Sequence, residues 1–167
     1  MTAAATIDRV GPESNQILVN LFEHYLHDMA EWFRFDVGAD GRYAYDVSPH
    51  WRNNDSVYLA RVDGALAGFV IVGSAEPWTN DPASLDIREF FVIRRHRHSG
   101  VGRDMAHHVW NRHRGRWLVR VLEANLPAVP FWRKTIAAYS KGRYAEQVVT
   151  PDDGKRRLFF SFDNRNP

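Results

Sequence analysis

The chain has 167 residues, enough for one domain with a sizeable core, and 44% of them are apolar. Charged residues at 25% and aromatic residues at 13% fit a globular protein and exclude a disordered one. With 22 Lys and Arg against 20 Asp and Glu, the formal net charge of +2 does not by itself suggest a nucleic-acid binder, and zero cysteines exclude disulfides, thiolate metal sites and a Cys nucleophile.

Met1 to Val10 has neither a basic n-region nor an apolar h-region, and no apolar run approaches the roughly 20 residues of a membrane helix. The expectation is a soluble, cytoplasmic protein. Ala4 to Val10 alternates as a short first strand, and Gly11-Pro12-Glu13-Ser14 marks a turn and a helix start. Ile17, Leu18, Leu21, Phe22, Tyr25, Leu26 and Met29 then recur at helical spacing. Glu31 to Trp51 carries Trp32, Phe33, Phe35, Tyr43, Tyr45 and Trp51 without a clear period, and reads as a short helix plus an aromatic loop. Val57 to Val62 and Leu66 to Gly73 are β-rich runs joined by Asp63-Gly64, a strong hairpin signal. Glu76 to Pro82 reads as a loop and Leu85 to Ile93 as the next strand. A helix is predicted over His98 to Arg112, with Val101, Met105, Ala106, Val109 and Trp110 on one stripe. Trp117 to Leu122 reads as a strand, and Pro127 to Tyr139 as a helix with Pro130 in its first turn. Tyr144 to Val149 and Arg157 to Phe162 close the chain as a hairpin around Pro151-Asp152-Asp153-Gly154. There is no repeat or linker, so residues 1–167 read as a single domain: a layered α/β (α+β) fold with a mixed sheet and helices on both faces.

One segment carries more chemistry than the rest. Arg97-His98-Ser99-Gly100-Val101-Gly102 lies between a predicted strand and a predicted helix. A turn there frees backbone N–H groups, and the helix dipole adds positive potential, so the segment is a phosphate cradle. The dinucleotide form needs G-x-G-x-x-G after the first strand, and the Walker form needs G-x-x-x-x-G-K-[ST]; neither is present.

Glu89-Phe90-Phe91-Val92-Ile93 followed by Arg97-His98-Ser99-Gly100-Val101-Gly102-Arg103 resembles the central motif of the GNAT acetyltransferases, a strand ending in a hydrophobic pair, then Q/R-x-x-G-x-G/A and a helix. Asn125-Leu126-Pro127-Ala128 with Phe131-Trp132 resembles the later Asn-x-x-Ala segment of that superfamily, and the predicted order of elements matches across most of the chain. The aromatic segment from Tyr25 to Trp51, the Asp63-Gly64 hairpin and the Phe131-Trp132 pair look like one bacterial branch of predicted acetyltransferases. The resemblance implies a GNAT-like mixed sheet of about six or seven strands, splayed between the fourth and fifth. It implies acetyl-CoA as co-substrate and no metal, with pantetheine pairing at Phe91, Val92 and Ile93, pyrophosphate on the segment Arg97, His98, Ser99, Gly100, Val101, Gly102 and Arg103, and a contact at Asn125. A backbone N–H near Phe91 or Val92 would serve as oxyanion donor. A homodimer is compatible with it.

Two departures stand out. His98 occupies a position where the family often has glycine, and Trp132 stands where it often has a Tyr general acid. Indole N–H does not readily give up a proton, so Tyr139 is the nearest substitute and Tyr144 another. For amine acetylation Glu89 is the candidate base, weighed against an ion pair with Arg88 or Arg120. Trp32, Tyr43 and Tyr45 are candidates for the acceptor wall, weighed against core packing. His96, His98, His107 and His108 lack ligand-pair spacing with an acid. Arg94, Arg95, Arg97 and Arg103 suit the phosphates of CoA better than a nucleic acid, given the compact loop–helix context. The leading expectation is acetyl transfer to a primary amine of a small molecule by direct attack in a ternary complex. A non-catalytic acyl-CoA-binding regulatory module is the alternative, and a nucleic-acid binder the third.

Overall fold

The computed structural model describes residues 5–165. Its strands are β1 (Thr6–Val10), β2 (Ser56–Val62), β3 (Ala65–Ser74), β4 (Leu85–Val92), β5 (Arg116–Leu122), β6 (Ala145–Val149) and β7 (Arg157–Asp163). The helices are α1 (Asn15–Met29), α2 (Ser48–Arg52), α3 (Glu76–Thr79), α4 (Val101–Arg112) and α5 (Ala128–Ser140). The seven strands form one mixed, mostly antiparallel sheet in the order β1-β2-β3-β4-β5-β7-β6. The parallel step is β4 to β5, where Leu85 is in register with Trp117 and Asp86 with Leu118, and among the described residues this ladder runs no further. The predicted hairpin forms where Asp63 and Gly64 take φ of 50° and 79°, the primed turn whose twist matches its strands.

Two expectations need correction. The helix predicted from His98 begins at Val101, because His98 and Gly100 sit at φ 61° and 93°, outside helical space. The loop over Glu76 to Pro82 contains a helical turn, α3, which ends at Asn80 with φ 53°. The aromatic segment is a loop with one short helix among its described residues, α2, at its far end, as its sequence suggests. Ala4, the expected start of the first strand, lies outside the described residues; β1 runs from Thr6.

The chain divides into two compact units. The first takes the described residues up to Ile71 together with Glu89–Met105, and the second takes Val72–Arg88 and the residues from Ala106 onward. β3, β4 and α4 each run through both. In the first unit, Leu18, Leu21, Phe22 and Leu26 of α1 pack on Val57, Leu59, Phe69, Ile71 and Phe91. Each such side chain contributes roughly 1.5–3 kcal/mol by leaving water. β3 and β4 are pressed together at Gly68, where a Cβ would stand 2.2 Å from the carbonyl oxygen of Phe91. In the second unit, Trp110 of α4 packs on Trp117, Trp132 and Phe162. Buried Asn164 closes the end of α4, donating to the carbonyls of Trp110 (2.6 Å) and His113 (3.1 Å) and accepting from the amide of Gly115 (2.8 Å).

Candidate active site

The second half of β4, in the first unit, leads into the cradle. After Val92 the chain makes a tight turn over Arg94–His96, extends at Arg97, and enters α4 through His98, Ser99 and Gly100. The Ser99 hydroxyl ties the turn by donating to the carbonyl of His96 at 2.6 Å. The bond from the amide of Asp104 to the carbonyl of Gly100, 3.0 Å, opens the helical ladder. The amides of Val101, Gly102 and Arg103 precede it, so the helix itself offers them no acceptor. With the positive end of the helix dipole they make an anion-binding nest.

Side chains around the nest are used differently from the expectation. Arg97 turns inward: its Nε donates to the carbonyl of Val92 at 2.8 Å, its guanidinium pairs with Asp28 of α1, and its Cζ lies 5.7 Å from the centre of the Phe91 ring. Arg94 meets the other oxygen of Asp28 at 2.6 Å. Arg103 pairs with its neighbour Asp104 at 2.8 Å. Arg95 and His98 are exposed. Burial alone would raise the pKa of Asp28, but the hydrogen bonds from Arg97 and Arg94 outweigh it and hold the carboxyl below its usual range.

The strand edge is also more specific than the sequence suggested. The amide of Ile93 donates to Ala67 of β3 at 2.8 Å, and the carbonyl of Phe91 presses on Gly68 of the same strand. Backbone groups alternate along a strand, so Phe91 and Ile93 spend theirs on β3 while Val92 turns its own away. Of Phe91, Val92 and Ile93, Val92 is thus the one whose backbone groups are not directed at β3, and its carbonyl accepts from Arg97.

Glu89 faces α1. The hydroxyl of Tyr25 donates to its Oε2 at 2.7 Å, and both side chains are partly buried. Arg120 is not its partner: that guanidinium binds Asp86 at 2.6 Å, with the Asp86 side chain 1% exposed, and lies 4.5 Å from the centre of the Trp78 ring. Arg88 donates to the carbonyl of Ser74 at 3.3 Å.

Of the acceptor-wall candidates, Tyr45 stacks on Phe22 with ring centres 4.6 Å apart and is 38% exposed. Tyr43 donates its amide to Glu23 of α1 at 2.8 Å, and its hydroxyl lies 3.3 Å from Nδ1 of His27. Trp32 sits in the turn closing α1, its amide bonded to the carbonyl of Met29 at 3.0 Å. The first unit therefore joins Tyr45, Phe22, Tyr25 and Glu89 in one continuous contact path.

Asn125 and Tyr139 belong to the second unit. Asn125 caps the start of α5, its Oδ1 and carbonyl both accepting from the amide of Ala128 at 3.3 and 3.0 Å. Tyr139 donates to Asn111 at 2.9 Å and packs on His107, Trp110 and Phe162, which is structural work between α4, α5 and β7. A cavity of about 460 Å³ in this unit, lined by Thr79, Ser84, Arg116 and Ser161 among others, contains none of the expected site residues. Among the described residues no cluster of three or more His, Asp or Glu side chains is arranged to hold a metal ion. Nor is any helix there long and apolar enough to cross a membrane.

Sequence reading missed Tyr25 and Asp28. Tyr25 was one member of an apolar stripe, and nothing in that pattern shows where its hydroxyl goes.

Comparison with known proteins bears on the family and the fold. The family model described as "Acetyltransferase (GNAT) family" matches residues 22–136. A structure of yncA from Salmonella typhimurium, with its cofactor acetyl-CoA, is 14% identical, with 98% of this chain and 96% of that one covered and a TM-score of 0.69. A ribosomal-protein-alanine N-acetyltransferase from Brucella melitensis is 16% identical, with 95% and 99% covered and a TM-score of 0.65. A GNAT-family acetyltransferase from Streptococcus agalactiae is 16% identical, with 99% of both chains covered and a TM-score of 0.69. No curated protein matches the chain. The chain belongs to the GNAT acetyltransferase family and has its fold. It is an acyltransferase.

Proposed function

We propose that this chain is a single-domain, cytoplasmic N-acetyltransferase that moves the acetyl group of acetyl-CoA to a primary amine of a small molecule by direct attack in a ternary complex. The observation that carries the reading is the juxtaposition, within one unit, of an anion-binding nest at the start of α4 and a carboxylate, Glu89, on the strand that leads to it. The residues fit the co-substrate: the amides of Val101, Gly102 and Arg103 suit the pyrophosphate, and the amide of Val92 is turned away from β3, toward where a carbonyl oxygen can be received. Bound acetyl-CoA supplies the thioester carbonyl and a thiolate leaving group.

Glu89 takes a proton from the ammonium of the acceptor, directly or through a water. The amine then forms the C–N bond as the C–S bond breaks, and the amide nitrogen gives up its second proton to solvent, which balances the proton the thiolate takes up. Val92 N–H stabilises the charge on the carbonyl oxygen. The thiolate is protonated from solvent, because the Tyr139 hydroxyl is committed to Asn111. Tyr45 and Tyr43 are the acceptor-wall residues in this reading, because aromatic rings favour a cation.

Calorimetry with acetyl-CoA and a thiol-release assay over a panel of amines test this reading. Saturable binding and amine-dependent thiol release are expected. Glu89→Gln is expected to lower kcat at neutral pH by about 10²–10⁴-fold. Undetectable binding at millimolar acetyl-CoA would remove the co-substrate, and an unchanged pH–rate profile in Glu89→Gln would remove the base.

A further inference from the structure

Tyr25 is more tightly placed than an amphipathic helix requires. Its ring meets Phe22 edge-on at 5.6 Å, meets Phe69 edge-on at 5.7 Å, and tilts against Phe91 at 5.9 Å. Beyond those rings its hydroxyl donates to Glu89 Oε2 at 2.7 Å. One turn further along the same face of α1, Asp28 binds Arg94 and Arg97, and Arg97 reaches the carbonyl of Val92. Residues three apart on a helix share a face. One face of α1 therefore grips β4 at two points, the side chain of Glu89 and the backbone beside the oxyanion donor.

We infer that Tyr25 is the positioning residue of the general base: it holds the Glu89 carboxylate in one orientation and stabilises its ionised form. The inference rests on the reading of Glu89 as the base. A phenol donating to a carboxylate favours the charged form, so the base stays ionised to lower pH than it would alone. The orientation also keeps the carboxylate in line for an amine entering beside Tyr45, which contacts Tyr25 through Phe22.

The test is the pH profile of kcat/KM in four variants of the full chain, each assayed by thiol release with the best amine of the panel. Tyr25→Phe keeps the ring and removes the donor. It should move the acidic limb up by about one pH unit and lower kcat about tenfold, with KM for acetyl-CoA unchanged. Incorporation of 3-fluorotyrosine at position 25 makes a stronger donor of the same shape and should move the limb down, which answers the concern that Tyr25→Phe loosens the fold. Adding Tyr25→Phe to Glu89→Gln should cost nothing beyond Glu89→Gln alone. An acidic limb that disappears in Glu89→Gln yet stays in place in both Tyr25 variants overturns the role of Tyr25 and spares that of Glu89. A limb that survives in Glu89→Gln overturns both.

Discussion

Asp86 and Arg120 show how far a residue's work depends on its surroundings. Arg120 was an alternative ion-pair partner for Glu89, but the carboxylate it meets is Asp86, at 2.6 Å and nearly sealed from water. Removing one member of such a pair leaves the other charge stranded. Asp86→Ala is therefore expected to cost about 3–5 kcal/mol, read as a lower urea midpoint at unchanged slope, whereas Asp86→Leu with Arg120→Met should come close to neutral. His98 is the opposite case. Its φ of 61° strains an L side chain that is otherwise exposed. His98→Gly should stabilise the fold by about 1 kcal/mol, a rise in Tm of about 2–4 °C, and should preserve acetyl-CoA affinity, because the nest is built from the amides of Val101, Gly102 and Arg103 and the His98 side chain is exposed. The sequence showed that His98 departs from the glycine form of the motif. It did not show whether the departure is strained, which depends on a backbone angle.

Among the elements, the aromatic segment is the one whose behaviour periodicity left open. It is irregular from the end of α1 to α2, yet one α1 side chain holds it. Glu23 accepts the amide of Tyr43 at 2.8 Å and that of Ala44 at 3.2 Å, with Arg42 at 3.7 Å. Glu23→Ala should free residues 42–46, seen as faster amide exchange there, at a cost of about 1 kcal/mol in stability. KM for the amine should rise several-fold while KM for acetyl-CoA holds. If both KM values rise together, the segment is not an acceptor wall. The regular elements were legible because their cores repeat at 3.6 or 2 residues. The helix start at Val101 was misplaced by three residues because the residues before it are left-handed, and side-chain pattern is silent on that.

For the whole molecule, the paired carboxylates set the response to acid. Asp163 is lowered to about 2, chiefly by its hydrogen bond from Arg165; Asp153 is lowered by Arg157, and Glu146 by Arg133. Asp28 is lowered by Arg97 and Arg94 despite its burial. A carboxyl with a depressed folded-state pKa adds stability that is complete above its unfolded value of roughly 4 and is lost as pH falls through the folded value. The urea midpoint should therefore fall between about pH 4 and pH 2. Most of these pairs are exposed, so each contributes little, and added salt should flatten the fall. A midpoint independent of pH across that window would remove them from the stability of the fold.

The sequence by itself determined the order of elements, the strand–loop–helix cradle and the presence of a carboxylate on the strand before it. Each of these is a local matter of periodicity, turn chemistry or adjacent residues. The tertiary structure decided the rest: which carboxylate Arg120 meets, that Arg97 braces Val92 and α1, that Val92 turns its backbone away from β3 while Ile93 beside it does not, and that Tyr25 reaches Glu89 across 64 positions of chain. Such contacts join residues far apart in sequence, and no spacing rule encodes them. The Tyr25 ring is held by Phe22, Phe69 and Phe91, and those rings meet only when the chain has folded.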